Sequence, residues 1–242
     1  MNEHTPEPAD TTQAAQQPLA GSRGDQVMLT VVQAMQHANA AYAGGDWDRA
    51  EQLCQRILQA HADHFGALQL LGIIAAQTQR PADAAELLRR AVAAQPLNPA
   101  AHNNYGNVLK CLGRFEEARA SYERALDLAP DCADAYNNRG IVLQELRRFD
   151  DAVDSFDQAL KVRPDHAEAW CNRGVALQEL GRFDQAVASY DRALKVRPDY
   201  ADAYANRGSV LQKLGRHDDA LASYERALTI EPRLQDPARD VR

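Results

Sequence analysis

The sequence predicts an all-α chain of six helix-turn-helix repeats stacked as a solenoid, on three observations. A period of 34 residues runs through it, and the consecutive copies 133–166 and 167–200 are identical at roughly two-thirds of their paired positions. Within a copy, apolar residues recur at helical spacing in two runs: Trp170, Gly174, Leu177 and Leu180, then Val187, Tyr190, Ala193, Leu194 and Val196. Small residues return in phase, at Gly72, Gly106, Gly140, Gly174 and Gly208 and at Ala50, Ala84, Ala118, Ala152, Ala186 and Ala220. They stand where two helices have to approach to the short end of the usual 8 to 10 Å or so between axes.

Taken in order, residues 1–27 are rich in Pro, Thr, Gln, Glu and Ala and poor in bulky apolar residues, so a disordered N-terminal arm is expected. They have neither the basic nor the apolar region of a secretory leader, and no run of about 18 apolar residues offers a membrane span. A cytoplasmic protein with no membrane partner is expected. The solenoid is placed at 28–234, with repeats at 31–64, 65–98, 99–132, 133–166, 167–200 and 201–234, and a tail at 235–242. Repeat one carries Ala38, Cys54 and Ala62 where the repeat pattern has glycine, an aromatic residue and proline, and is expected to act as a cap. In repeat two Pro81 sits where a missing amide hydrogen costs nothing, at the start of a second helix. In the regular repeats Gly181-Arg182 supplies the turn, Asp184 places negative charge on the opening amides of the second helix, and Pro198 ends it. The residues after Pro232 are too few and too charged for a capping helix, so either repeat six tolerates an exposed outer face or something covers it, self-association through the last repeat or a longer natural chain being the two ways.

The order Trp170, Gly174, Leu177, Ala186, Tyr190, Ala193, Pro198 resembles the tetratricopeptide repeat, and the resemblance covers nearly all of 31–234. It implies a right-handed α-solenoid whose first helices line a concave face that binds a protein or peptide partner. One departure is arginine before the glycine, at Arg139, Arg173 and Arg207. The clamp that cochaperone tetratricopeptide domains use for a C-terminal carboxylate has lysine where this chain has asparagine, cysteine or alanine, so that activity is not expected. The N-N-x-G and N-R-G wording is similar to arrays preceding bacterial glycosyltransferase domains of the O-linked N-acetylglucosamine transferase kind. No such domain fits after Pro232; the resemblance therefore implies, as the alternative to a plain scaffold, a substrate-recruiting module of such a system.

Composition narrows the partner. With a net charge of −7 and no basic stripe, nucleic acid is not expected. The four cysteines, Cys54, Cys111, Cys132 and Cys171, show no C-x-x-C spacing and read as reduced thiols, with Cys54 buried and Cys111 and Cys171 partly exposed. Phosphate-loop, dinucleotide, nucleophile-elbow and zinc-protease motifs are all missing, so neither catalysis nor a cofactor is expected. The pair His61 and His64 lacks the further ligands a metal needs and reads as two loop histidines.

In the frame the tetratricopeptide resemblance implies, the face that first helices turn to the concavity holds the fifth, sixth, ninth, twelfth and thirteenth positions of each repeat. There the sequence places Asn103, Asn104 and Asn107; Asn137, Asn138 and Gln144; Asn172 and Gln178; Asn206 and Gln212. A carboxamide both donates and accepts and so matches the alternating groups of an extended peptide backbone. Asparagine is a mediocre helix former, and its return in phase argues for binding over mere tolerance on an exposed face, although recent duplication of one repeat would produce the same regularity. Glu145, Glu179, Asp134, Glu168 and Asp202 near this face would favour neutral or basic segments. The arginine column is expected to pair in the interhelix seam with acidic residues of second helices such as Asp157, Asp191 and Glu225.

Overall fold

The computed structural model describes residues 29–232, so the arm expected at 1–27 and the tail at 235–242 lie outside the described residues. Among the described residues are twelve α-helices. They are α1 (Val31–Ala43), α2 (Trp47–Ala60), α3 (Phe65–Gln77), α4 (Pro81–Ala94), α5 (Pro99–Cys111), α6 (Phe115–Leu128), α7 (Ala133–Glu145), α8 (Phe149–Val162), α9 (Ala167–Glu179), α10 (Phe183–Val196), α11 (Ala201–Lys213) and α12 (His217–Ile230). Odd-numbered helices have 13 residues and even-numbered ones 14, and each odd–even pair forms one hairpin. The chain divides into two compact units, one ending at Val108 and the other beginning at Leu109.

Local chemistry sets the helix ends. In the first unit Thr30 and Gln33 form a reciprocal capping box on α1, Asp46 accepts from the Arg49 amide, and Pro81 is the first residue of α4. In the second unit the second helices start at a phenylalanine or histidine preceded by arginine, with no side-chain cap. Acidic residues in the first turn, such as Asp150 and Asp151 of α8, meet the positive end of the helix instead. Gly113, Gly181 and Gly215 take φ near +70° in the turns between paired helices, a conformation that suits glycine. Two side-chain-bearing residues do the same work, Gln79 at φ 57° and Arg147 at φ 60°.

The seam inside each hairpin explains the phased glycines. A Cβ added to Gly174 would lie 2.5 Å from the Tyr190 ring, and one on Gly140 would lie 2.5 Å from Phe156; both rings are fully buried. Gly72 stands in the same relation to Leu88, at 2.6 Å. In repeat one the pair is Ala38 and Cys54, both fully buried, so the extra methyl on one helix is matched by a smaller side chain on the other.

Cores run along the hairpins within each unit. In the first, Leu53, Cys54 and Ile57 of α2 meet Leu70, Leu71 and Ile74 of α3. In the second, Leu143, Phe156, Leu177, Tyr190, Val210 and Leu211 belong to one cluster. Trp170 donates from its indole to the Pro164 carbonyl (2.9 Å), and in the first unit His102 makes the same kind of contact with the Pro96 carbonyl (2.9 Å). In repeats three and five the same position thus ties the start of a first helix to the turn before it.

Candidate functional site

Within the second unit, the side chains at the fifth, sixth and twelfth positions of α7, α9 and α11 form an ordered row. Asn172 on α9 donates from Nδ2 to Asn137 Oδ1 on α7 (3.0 Å), and Gln144 on α7 donates from Nε2 to the Asn172 main-chain carbonyl (3.2 Å). Lys110, at the end of α5, donates to Asn138 Oδ1 (3.4 Å). The Asn206 side chain on α11 reaches the buried Cys171 thiol on α9, as does Tyr200. Burial pushes that thiol up to about 11, against the pull of these two hydrogen bonds. The amides therefore stitch successive first helices together.

The glutamines follow the identity of the second-helix ring behind them. Gln178 accepts from the Tyr190 hydroxyl (3.5 Å) and Gln212 from the Tyr224 hydroxyl (3.3 Å). Phe156, the counterpart in repeat four, has no hydroxyl, and Gln144 turns to the neighbouring helix instead. Asn137 is buried, Asn138, Gln144, Asn172, Gln178 and Asn206 are half-buried, and Gln212 is exposed. Asn138 and Asn172 are therefore partly covered rather than exposed on the helix face. Asn103, Asn104 and Asn107 are half-buried on α5 in the first unit, where Asn103 Oδ1 is buried with no hydrogen-bond partner among the described residues.

Two further expectations change. Asp134 and Glu168 are engaged at the turns between repeats: Asp134 accepts from Nη1 and Nη2 of Arg163 (2.9 and 3.2 Å), and Glu168 accepts from Arg197. Those bonds, ahead of every other influence, hold both carboxyls below their usual range. Cys171 is buried like Cys54, because Asn206 and Tyr200 close over it; Cys111 is exposed.

The arginine column lies in the seam. Arg173 donates to Asp157 on the preceding second helix and to Ser189 on its own (2.7 Å each), and Arg207 repeats this with Asp191 and Ser223 (2.7 Å each). Arg139 keeps the serine contact, donating to Ser155 (3.0 Å), and lies over Tyr136 as Arg173 lies over Trp170. One guanidinium thus joins three helices, a use of its planar fork that a lysine would not reproduce.

Beside the amide row lies a recess of about 350 Å³ lined by Gln144, Glu145, Arg147, Phe149, Val175 and Glu179. Sequence reasoning passed over Arg147 and Phe149. The signal was Arg147 itself, which stands where Gly113, Gly181 and Gly215 stand in other repeats. In the first unit His61 and His64 line a separate recess of about 580 Å³. Among the described residues no group of three or more His, Cys, Asp or Glu is placed to hold a metal, and no helix is long and apolar enough to cross a membrane.

Profiles described as "Tetratricopeptide repeat" match residues 98–165, 131–199 and 165–232, and also 35–99 and 71–110. The chain belongs to the tetratricopeptide-repeat family. Solved structures share the fold. PilF of Pseudomonas aeruginosa superposes with a TM-score of 0.72 at 19% identity, covering 84% of this chain and 92% of its own. MamA of Desulfovibrio magneticus RS-1 gives 0.65 at 18% identity over 71% and 97% of the two chains. YrrB, described as a TPR protein with an unusual peptide-binding site, gives 0.61 at 20% identity over 74% and 92%. At these identities the likeness is one of fold.

Proposed function

We propose that this tetratricopeptide array is a protein-interaction scaffold whose second unit binds an extended, neutral or basic segment of a partner protein along α7, α9 and α11. The observation that carries the reading is the ordered amide row. Asn137, Asn138, Gln144, Asn172, Gln178, Asn206 and Gln212 are held by bonds between first helices or to the tyrosines of the second helices, so a ligand would not have to freeze them. Each carboxamide has more donors and acceptors than one such bond uses. Half-buried Ile141 and Val175 supply apolar contact beside the row, and exposed Glu145 and Glu179 supply negative charge. Packed helices repeat about every 8 to 10 Å and an extended chain advances about 3.3 Å per residue, so one amide would meet the ligand backbone about every third residue. YrrB, with its peptide-binding site on the same fold, makes the mode a reasonable one for this chain.

The test is calorimetric titration of an unstructured segment from a captured partner into the wild-type chain and the Asn138→Ala/Asn172→Ala variant, with thermal melts alongside, since Asn172 also bonds Asn137. Each lost ligand hydrogen bond should weaken binding by about 0.5 to 1.5 kcal/mol. Unchanged affinity in a variant that still melts cooperatively would overturn the reading. A substrate-recruiting module of an O-linked N-acetylglucosamine transferase-like system would use the same row, and the asparagine at the sixth position of α7, α9 and α11 favours it as the second reading. That reading requires the captured partner to carry the sugar and to lose it when binding is disrupted.

A further inference from the structure

We infer that the recess beside the amide row is a seat for an arginine side chain of the bound segment, which the chain's own Arg147 occupies in the free protein. This rests on the reading of the α7–α9–α11 row as a peptide-binding surface and adds the side-chain chemistry that surface selects. The recess is lined by Phe149 and Val175 together with Glu145, Glu179 and Gln144, so it sets an aromatic ring and an apolar side chain among two carboxylates and an amide. An aromatic face next to two carboxylates suits a planar cation, which stacks on the ring and directs its N–H groups to the acids.

The molecule itself sets a cation over the ring at this position twice. The Arg147 guanidinium lies 4.9 Å from the Phe149 ring centroid, with its Nη1 3.8 Å from Glu179 Oε2. One repeat further on, Phe183 holds the same place as Phe149, and Lys213 sits over it with Nζ 5.5 Å from the ring centroid. The two cations reach their rings from different positions, one from the turn within the hairpin and the other from the end of the next first helix. The shared element is the phenylalanine, not the route by which a cation arrives.

Arg147 is a weakly held occupant. Its side chain is 77% exposed, its contact with Glu179 is longer than a hydrogen bond, and its backbone stands at φ 60°, where L-residues are strained and other repeats use glycine. A ligand arginine delivered from a segment lying on the amide row would displace it without breaking any buried contact. Arg147 then swings toward solvent, and Phe149, Glu145 and Glu179 close on the newcomer.

Titrating the full chain with a short capped Gly-Ser peptide bearing one central arginine, and with its citrulline and lysine counterparts, tests this by following the Val175 methyl resonances. Arg147→Gly removes the resident cation and suits the turn conformation. It should bind the arginine peptide roughly two- to fivefold tighter than wild type, with lysine weaker and citrulline giving no saturable shift. Adding Glu179→Gln, or Phe149→Leu with retained fold, should abolish the gain. Equal binding of the citrulline peptide, or no gain in Arg147→Gly, overturns the seat. Because Val175 reports the recess directly, a seat that binds while the Asn138→Ala/Asn172→Ala variant keeps full affinity for its partner segment would overturn the amide row and leave the seat standing.

Discussion

In the second unit Gly174 presses against the Tyr190 ring, whereas in the first unit the same two positions hold Ala38 and Cys54, and both arrangements are fully closed to solvent. What is kept between repeats one and five is the filled seam, not the residue at either end of it. A glycine is required only where the opposite side chain is large enough to need the space of a methyl group. The first unit also shows the intermediate solution, with Gly72 against Leu88.

The sharpest way to break the comparison is to exchange one side of it. Gly174→Ala places a methyl against a ring with no free space around it and should destabilise by about 1 to 3 kcal/mol in urea unfolding. Ala38→Gly, which opens rather than crowds, should cost about 0.5 to 1 kcal/mol. The double change Gly174→Ala/Tyr190→Cys installs the repeat-one pair in repeat five. It should cost less than the sum of its two single changes, because the smaller side chain relieves the crowding. Strict additivity would mean that the two positions do not share the seam.

Repeats five and six differ in what lies beyond them. Val153 and Val187 are 7% exposed beneath the following repeat, while Leu221 at the same phase of α12 is 59% exposed and nothing among the described residues covers it. Amides of α12 should therefore exchange on the order of tenfold faster than those of α10, equivalent to about 1.4 kcal/mol. Equal protection would show that another surface, such as a second copy, covers α12, and sedimentation would then reveal the larger species.

The turns between repeats respond to different acidities in the two units. In the first, His64 Nδ1 accepts the Ala67 amide (3.2 Å), which needs a neutral ring, and burial first and the nearby His61 second lower its pKa below 6.5. A folded-state pKa lowered for a base means that the unfolded chain takes the proton first, so stability is lost as pH falls below 6.5 toward the lowered value. The loss should reach up to about 1 kcal/mol, the usual worth of such a cap, and His64→Asn should remove the dependence. In the second unit Asp134 and Glu168 have lowered carboxyls, so their contribution persists through that range and is lost only as pH falls through values below the usual carboxylate range. Chemical-shift titration of both turns distinguishes them, and simultaneous loss near pH 6 would contradict the assignment.

Much of this was legible in the residues. The period of 34, the two helical stripes and the phased small residues determine twelve helices in hairpins, because each hairpin has too little apolar surface to stand alone. The pairing of Arg173 with Asp157 and of Arg207 with Asp191 was legible too, since long charged side chains beside a seam need a partner within it. Tertiary structure alone decided the rest. A repeat pattern says which residues share a face but not how far one helix slides against the next, and hydrogen bonds are made or lost within a few tenths of an ångström. That is why the asparagines turned out to bond helix to helix, why Gln144 departs from Gln178 and Gln212 once Phe156 lacks a hydroxyl, and why the arginine column shares a serine of its own second helix as well as an aspartate. It is also why Arg147, in the sequence only a glycine that is missing, emerged as a cation folded over Phe149.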